Sequence, residues 1–209
     1  YKETSLNYAI RRNQIEIVKI LLSHPKIDVN KKSLVYLNKI EYNESPLYSC
    51  VRQKNIEMIK LLLENPLIDV NSKSFVNKTE YEETALNLAL RNNDKEIIKI
   101  LLKHQNIDLN VISTSKEDNY SNIEINEYTV LQTAIEFCDI EIIELILNNS
   151  KIDINHLSKS TKINDNDNTK QKSKMAALHT AIILKKKDVV PLLLKNENIQ
   201  INLNGVVYI

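Results

Sequence analysis

The feature that most constrains this chain is a segment that occurs five times. It opens Leu6-Asn7-Tyr8-Ala9-Ile10, runs through Ile17-Val18 and Ile20-Leu21-Leu22, and closes Ile27-Asp28-Val29-Asn30. The same order returns from Leu47, Leu86, Leu131 and Leu178. The acid of the Asp-x-Asn ending always lies 22 residues after the leading leucine, with Gln200 in its place in the fifth copy. The leading leucines themselves are 41, 39, 45 and 47 residues apart. A fixed segment therefore alternates with a connection of variable length. Packing explains the first, because a one-residue slip turns every apolar side chain off its face. Loop entropy explains the second, since doubling a loop costs only about 0.6 kcal/mol. Such recurrence predicts stacked units, each burying its face on the next.

Within each unit the apolar spacing is helical. Leu6, Ala9 and Ile10 fall at i, i+3 and i+4, and Ile17, Val18, Leu21 and Leu22 repeat the stripe. This predicts two short amphipathic helices around a tight turn near Asn13. Thr4, Ser45, Thr84 and Thr129 stand where N-caps belong, and Pro46 takes a first helical position, where proline is tolerated. Glu16, Glu57, Glu96, Glu141 and Asp188 are expected in the first turn of each second helix, where the helix dipole favours an anion. Asn13 and Asn93 suit a left-handed turn residue; Lys54, Cys138 and Lys185 suit it less well.

These residues resemble the ankyrin repeat. The entry motif of that family, Thr-Pro-Leu-His-x-Ala, is matched by Thr4-Ser-Leu-Asn-Tyr-Ala9, Ser45-Pro-Leu-Tyr-Ser-Cys50, Thr84-Ala-Leu-Asn-Leu-Ala89, Thr129-Val-Leu-Gln-Thr-Ala134 and Ala176-Ala-Leu-His-Thr-Ala181. The Val-Val-x-Leu-Leu-Leu stretch is matched by Ile17 to Leu22 and its four counterparts. The resemblance implies an all-α solenoid of stacked helix-turn-helix repeats with β-hairpin finger loops. It implies a single repeat domain over residues 1–209, with repeats at about 3–30, 44–71, 83–110, 128–155 and 175–202. The units are 6 to 14 residues longer than the family's roughly 33, and Gly205 is the one glycine. Ile27, Ile68, Ile107, Ile152 and Ile199 are expected to plug the base of the stack, with the Asp-x-Asn side chains bonding loop backbone.

Two connections read directly as hairpins. Leu34 to Tyr42 and Phe75 to Tyr81 share an Asn-Lys turn, at Asn38-Lys39 and Asn77-Lys78, a Glu and a closing Tyr. The third finger, 111–126, is more polar, and the fourth, 156–174, is polar enough that a mobile tip is expected. The chain starts in mid-repeat at Tyr1, ends on an apolar tail, and shows no polar cap at either end, so a longer protein is expected.

A net charge of +1 predicts no general pull toward nucleic acid or membrane, and no apolar run of membrane-spanning length occurs. Cys50, in the place of a small core residue, and Cys138, in another repeat, read as unpaired thiols, which fits a reducing compartment. The cytoplasm is the expected location and a monomer the expected state. No Gly-rich phosphate loop, nucleophile elbow or Cys/His metal spacing is present, so no enzyme, cofactor, small-molecule substrate or metal is expected. His24 and His104 share one offset near a helix end, which suits a cation there better than a metal site.

The resemblance places a concave face at the fifth and sixth positions after each leading leucine. These are Arg11-Arg12, Arg52-Gln53, Arg91-Asn92, Glu136-Phe137 and Ile183-Leu184. Three arginines at one offset suit carboxylate or phosphate partners; alternatively each pairs with a finger acid such as Glu44, Glu82 or Glu83. Phe137, Ile183 and Leu184 offer an apolar anchor, or else lie under the fourth finger. Lys170, Lys172, Lys174 and Lys185 to Lys187 form a basic cluster, read as a solvated face with a polyanion site as the sharper alternative. The function expected is protein–protein binding through this face and the finger tips Asn38, Lys39, Asn77 and Lys78, with an acidic or phosphorylated partner for the basic half. The alternative is a spacer or regulatory segment of a larger protein such as a channel or multidomain enzyme.

Overall fold

The computed structural model describes residues 2–37, 39–76, 81–119, 122–164 and 170–205. Two compact units are present, one of residues 1–89 and 94–107 and one of 90–93 and 108–209. In the first unit, α1 (Ser5–Arg11) and α2 (Ile15–Leu22) are followed by strands β1 (Ser33–Leu37) and β2 (Ile40–Glu44). Then come α3 (Pro46–Arg52), α4 (Ile56–Leu63), β3 (Lys73–Val76), β4 (Tyr81–Thr84), α5 (Ala85–Arg91), whose last two residues count with the second unit, and α6 (Lys95–Leu102). The second unit holds β5 (Ser113–Asn119), β6 (Asn122–Tyr128), α7 (Val130–Phe137), α8 (Ile140–Leu147), β7 (Ser158–Asn164), β8 (Lys170–Met175), α9 (Ala177–Ile183) and α10 (Val189–Leu194).

The helix starts follow the caps. Thr4, Ser45 and Thr129 accept from the N–H groups of Asn7, Tyr48 and Gln132, and Thr84 accepts from Asn87. Pro46 opens α3. Glu16, Glu57, Glu96 and Glu141 occupy first turns, whereas Asp188 sits at the N-cap of α10 without a side-chain bond. Between paired helices, Asn13, Lys54, Asn93 and Lys185 adopt φ of 55°, 55°, 52° and 55°. The two lysines accept that conformation because the turn's backbone bonds, such as Asn55 N–H to Cys50 O at 3.0 Å, over-determine it. Cys138 does not: it is extended at φ −108°, its N–H continues α7 by bonding Ala134 O, and its thiol turns inward to the Leu90 carbonyl.

An all-α description needs correcting, because the fingers do not stand apart. In the first unit β1 to β4 form one antiparallel sheet in chain order, joined between fingers at Tyr42↔Val76 and Asn43↔Phe75. In the second unit β5 to β8 do the same, with β6 and β7 in register from Asn122↔Asn164 to Asn126↔Ser160. Neighbouring fingers present bare strand edges at pairing distance, and pairing satisfies backbone groups that would otherwise lie open.

The core runs along the helix pairs. Leu6, Ile10, Val18, Leu47, Val51, Met58 and Leu62 are buried in the first unit, and Leu131, Ile135, Ile142, Ile143 and Ile146 in the second. Cys50 and Cys138 are both buried and neither is in a disulfide; desolvation pushes the Cys50 thiol well above its ordinary pKa. The expected base plug is shifted by two residues. Ile68 and Ile107 are buried, but Ile27, Ile152 and Ile199 are only half-buried. The residue inside Asp-x-Asn is the one consistently enclosed, at Val29, Val70, Leu109 and Ile154. The turn explains this: each Asp accepts from the Asn N–H two residues on, as Asp28 does from Asn30 at 3.0 Å, and the middle side chain points inward.

The asparagines then tie repeat to repeat. Asn30 donates Nδ2–H to Leu67 O at 2.7 Å and accepts from Asp69 N–H at 2.8 Å. Asn71 donates to Asn106 O, Asn110 bonds Lys151 O and Asp153 N–H, and Asn155 bonds Asn198 O and Gln200 N–H. At His24 and His104, Nδ1 takes the N–H two residues on, as Asn65, Asn149 and Asn196 do through Oδ1 at the same offset.

Candidate functional site

The third residue before and the fifth after each leading leucine face each other across eight positions. In the first unit these are Glu3 with Arg11 and Glu44 with Arg52. Each pair is bidentate. Arg11 Nε and Nη2 donate to Glu3 at 2.9 and 2.8 Å, and Arg52 donates to Glu44 at 2.9 Å through both. Glu44 is 1 % exposed. Arg52 lies over the Tyr42 ring at 4.9 Å, and Arg11 and Arg12 flank Tyr8 at 5.2 and 5.6 Å. The Glu3 hydrogen bond holds Arg11 above its ordinary pKa. At Arg52, desolvation pulls the value down, but the bonds and charge of Glu44 outweigh it.

The second unit breaks the pattern at both positions. Tyr128 faces Glu136, and Met175 faces Ile183. No fork fills the space, and a cavity of about 620 Å3 opens between the finger strands and helices α7 and α9. All four residues line it, together with Leu184, Thr180, Gln132 and the strand residues Glu124, Glu127, Ser160, Lys162 and Ser173. Gln132, one residue after its leading leucine, fixes the base: Nε2 donates to Ser158 Oγ at 2.8 Å, Met175 O at 2.9 Å and Thr180 Oγ1 at 3.3 Å. On the wall, Lys159 lies 3.8 Å from Glu127, and Lys162 opposes Glu124 in register. Partial desolvation raises Glu136 above its ordinary pKa, against the opposing charge of Lys186. The result is a cavity with a buried polar base at Gln132 and Ser158, an exposed apolar flank at Ile183 and Leu184, a strand wall on which Lys159 and Lys162 lie opposite Glu127 and Glu124, and the exposed Glu136 beside them.

The residues singled out from the sequence fall on this frame as follows. Arg11, Arg12, Arg52 and Gln53 belong to the first unit, where Arg12 is exposed and Gln53 bonds back to Ser49 O at 3.2 Å. Arg91 and Asn92 close the first helix of the third repeat, and Asn92 is exposed. Glu136 lies in the groove, while Phe137 stands 41 % exposed beside it. Ile183 and Leu184 line the groove and are 51 % and 40 % exposed, so neither is buried under the fourth finger. Lys39 is exposed in its turn at φ 68°. Asn38, Asn77, Lys78 and the tip of the fourth finger lie outside the described residues. Tyr128, Met175 and Gln132 were not singled out. The signal for the first two was the joint loss of Glu before, and Arg after, the leading leucine.

Among the described residues, no group of three His, Cys, Asp or Glu side chains is placed to hold a metal ion, and no helix is long and apolar enough to cross a membrane. A model of three ankyrin repeat copies matches residues 32–113 and 73–158, and a single-repeat model matches residues 1–31. No curated protein matches the chain.

Proposed function

Since the chain belongs to the ankyrin repeat family, whose domains generally mediate protein–protein contact and are typically not enzymes, we propose that it binds a protein partner through its concave face and fingers. The observation that carries this is the groove of the second unit, which combines the family's concave-face positions with an exposed apolar flank at Ile183 and Leu184. Concave sites with a few placed polar groups are where binding energy concentrates. Glu136, Phe137, Ile183 and Leu184 would anchor the partner there. In the earlier repeats Arg11, Arg12, Arg52, Gln53, Arg91 and Asn92, with the turn residues Asn38, Lys39, Asn77 and Lys78, would meet an acidic or phosphorylated segment. The forks of Arg11 and Arg52 use Nε and Nη2 on their own glutamates. That half of the proposal therefore leans on the exposed Arg12. Two buried thiols outside any disulfide support a cytoplasmic setting.

The same two forks favour a second reading, a spacer or regulatory segment whose arginines serve the fold alone. Peptide display against the chain separates them. Selected peptides should lose about tenfold or more in affinity toward Glu136→Arg/Ile183→Asp while that variant's melting temperature stays near wild type, because both sites are exposed. Undiminished binding to it removes the groove as the site, and no enrichment at all favours the spacer.

A further inference from the structure

Side chains alternate across a strand, so a finger sheet has two faces. In the second unit one of them, with Tyr128, Asn126, Ser160, Lys162 and Ser173, turns toward the helices and walls the groove. The other turns away, and the register lays it out in rows. Asp118, Ile123, Ile163 and Lys170 stand side by side across β5 to β8. Lys116, Ile125, Thr161 and Lys172 form the next row, and Lys159 pairs with Lys174 beyond it. Strands about 4.8 Å apart, with same-face side chains about 6.7 Å apart along each, make a surface roughly 14 Å on a side.

Charge is segregated on this face. Lys116 has Asp118 at 3.9 Å, and Lys159 has Glu127 at 3.8 Å near the finger base, where both also touch the groove. Lys170, Lys172 and Lys174 are exposed, and among the described residues no acid lies within ion-pair distance of them. Asp165 and Asp167, between β7 and β8, lie outside the described residues. The architecture does not require such a row. Among the described strand residues, the matching face of the first unit carries Glu41, Glu82 and Lys73 around Tyr36 and Phe75. A net charge of +1 over the whole chain conceals the contrast. The basic cluster read from the sequence is also divided: Lys185 to Lys187 lie in the turn between α9 and α10, where Lys186 donates to Glu136 O at 3.4 Å.

Three features choose the occupant. The cations are lysines, compact point charges on flexible stems, without the planar fork by which arginine selects a fixed carboxylate or phosphate geometry. The centre of the face is aliphatic, with Ile125 38 % exposed and Ile123 and Ile163 half-buried, and no aromatic ring among the described residues of the face offers a base a stacking platform. An open sheet surface also meets a plane over all its rows at once. Lysines flanking aliphatic side chains suit an anionic lipid surface, where ammonium groups stay with the headgroups while apolar side chains dip between them.

We infer that this outward face of the second unit's finger sheet docks on an anionic phospholipid surface. Lys170, Lys172 and Lys174 supply the attraction and Ile125 the apolar contact. The groove lies on the sheet's other face, so a docked chain keeps it open, and neither proposal depends on the other.

Co-sedimentation with vesicles tests it. The chain should bind vesicles of equal parts phosphatidylserine and phosphatidylcholine far better than pure phosphatidylcholine. Binding should weaken as added salt shortens the screening length from about 30 Å at 0.01 M to about 8 Å at 0.15 M. Lys170→Thr/Lys172→Thr/Lys174→Thr should bind about 100-fold more weakly, since each lysine near an anionic surface accounts for about fivefold. Its circular dichroism and melting should be unchanged, because the sites are exposed. Ile125→Ser should lose about threefold, and keep that loss in high salt; an unchanged Ile125→Ser overturns the apolar contact. No preference for phosphatidylserine overturns the inference. So does an equal loss from Lys185→Asn/Lys186→Gln/Lys187→Gln, which removes the same charge elsewhere. Tighter binding to single-stranded DNA or to polyglutamate than to the vesicles overturns it too, and makes the occupant a nucleic acid or an acidic protein.

Discussion

The second repeat and the fourth differ in how they fill one position. In the second, Glu44 and Arg52 close the gap between finger and helix with a bidentate fork beneath the Tyr42 ring. In the fourth, Tyr128 and Glu136 leave it open, and the fifth continues the opening with Met175 and Ile183. The backbone plan is the same, and eight residues separate the partners in each case. A solenoid can therefore assign one register position to cohesion in some layers and to recognition in others. What changes is side-chain chemistry, not architecture.

Three variants would break or sharpen that contrast. The largest effect belongs to Arg52→Ala, which strands a carboxylate that is 1 % exposed. Urea denaturation should show a loss of about 3 kcal/mol, because breaking a buried pair costs far more than an exposed one. A loss under about 1 kcal/mol would make the fork ornamental and dissolve the comparison. Next comes the transplant Tyr128→Glu/Glu136→Arg, which writes the second repeat's pair into the fourth. A double-mutant cycle should give a favourable coupling of about 1 kcal/mol, with the selected peptides of the groove displaced. Zero coupling would mean that the finger of the fourth repeat sits too far from α7 for a fork. The smallest effect is Glu136→Gln. Glu136 has a raised folded pKa, so its protonated form is the one the fold favours. Its contribution is present below the ordinary carboxylate value and lost as pH rises through the raised one. The glutamine variant should melt slightly higher than wild type at neutral pH and converge with it in acid.

Much of this was legible in the sequence because it is local. Caps, first-turn acids and the helix stripes depend on residues three or four apart, and the Asp-x-Asn turn on residues two apart. The hairpins of the first two fingers were legible from their flanking β-branched and aromatic residues. Pairing between fingers was not, since β2 meets β3 across an entire helix pair, and strands such as Lys170–Met175 carry no apolar alternation to announce it. The shift from Ile27 to Val29 as the enclosed residue followed from a hydrogen bond that aims the chain, which periodicity does not encode. For the site, the arginine row was visible as a repeat offset, but the choice between partner and finger acid depended on a contact between residues 44 and 52 on different elements. The groove was written as an absence, the missing Glu–Arg pair of the last two repeats, and became visible only once the finger was known to lie over the helices.

The asparagine hooks carry a consequence of their own. They grip main-chain atoms, and the residues whose carbonyls they hold, Leu67, Asn106, Lys151 and Asn198, include an apolar, a charged and two polar side chains. A latch blind to side-chain identity joins any two layers equally well. Whole layers can then be duplicated, deleted or exchanged without renegotiating the seam, while the surfaces they display drift independently.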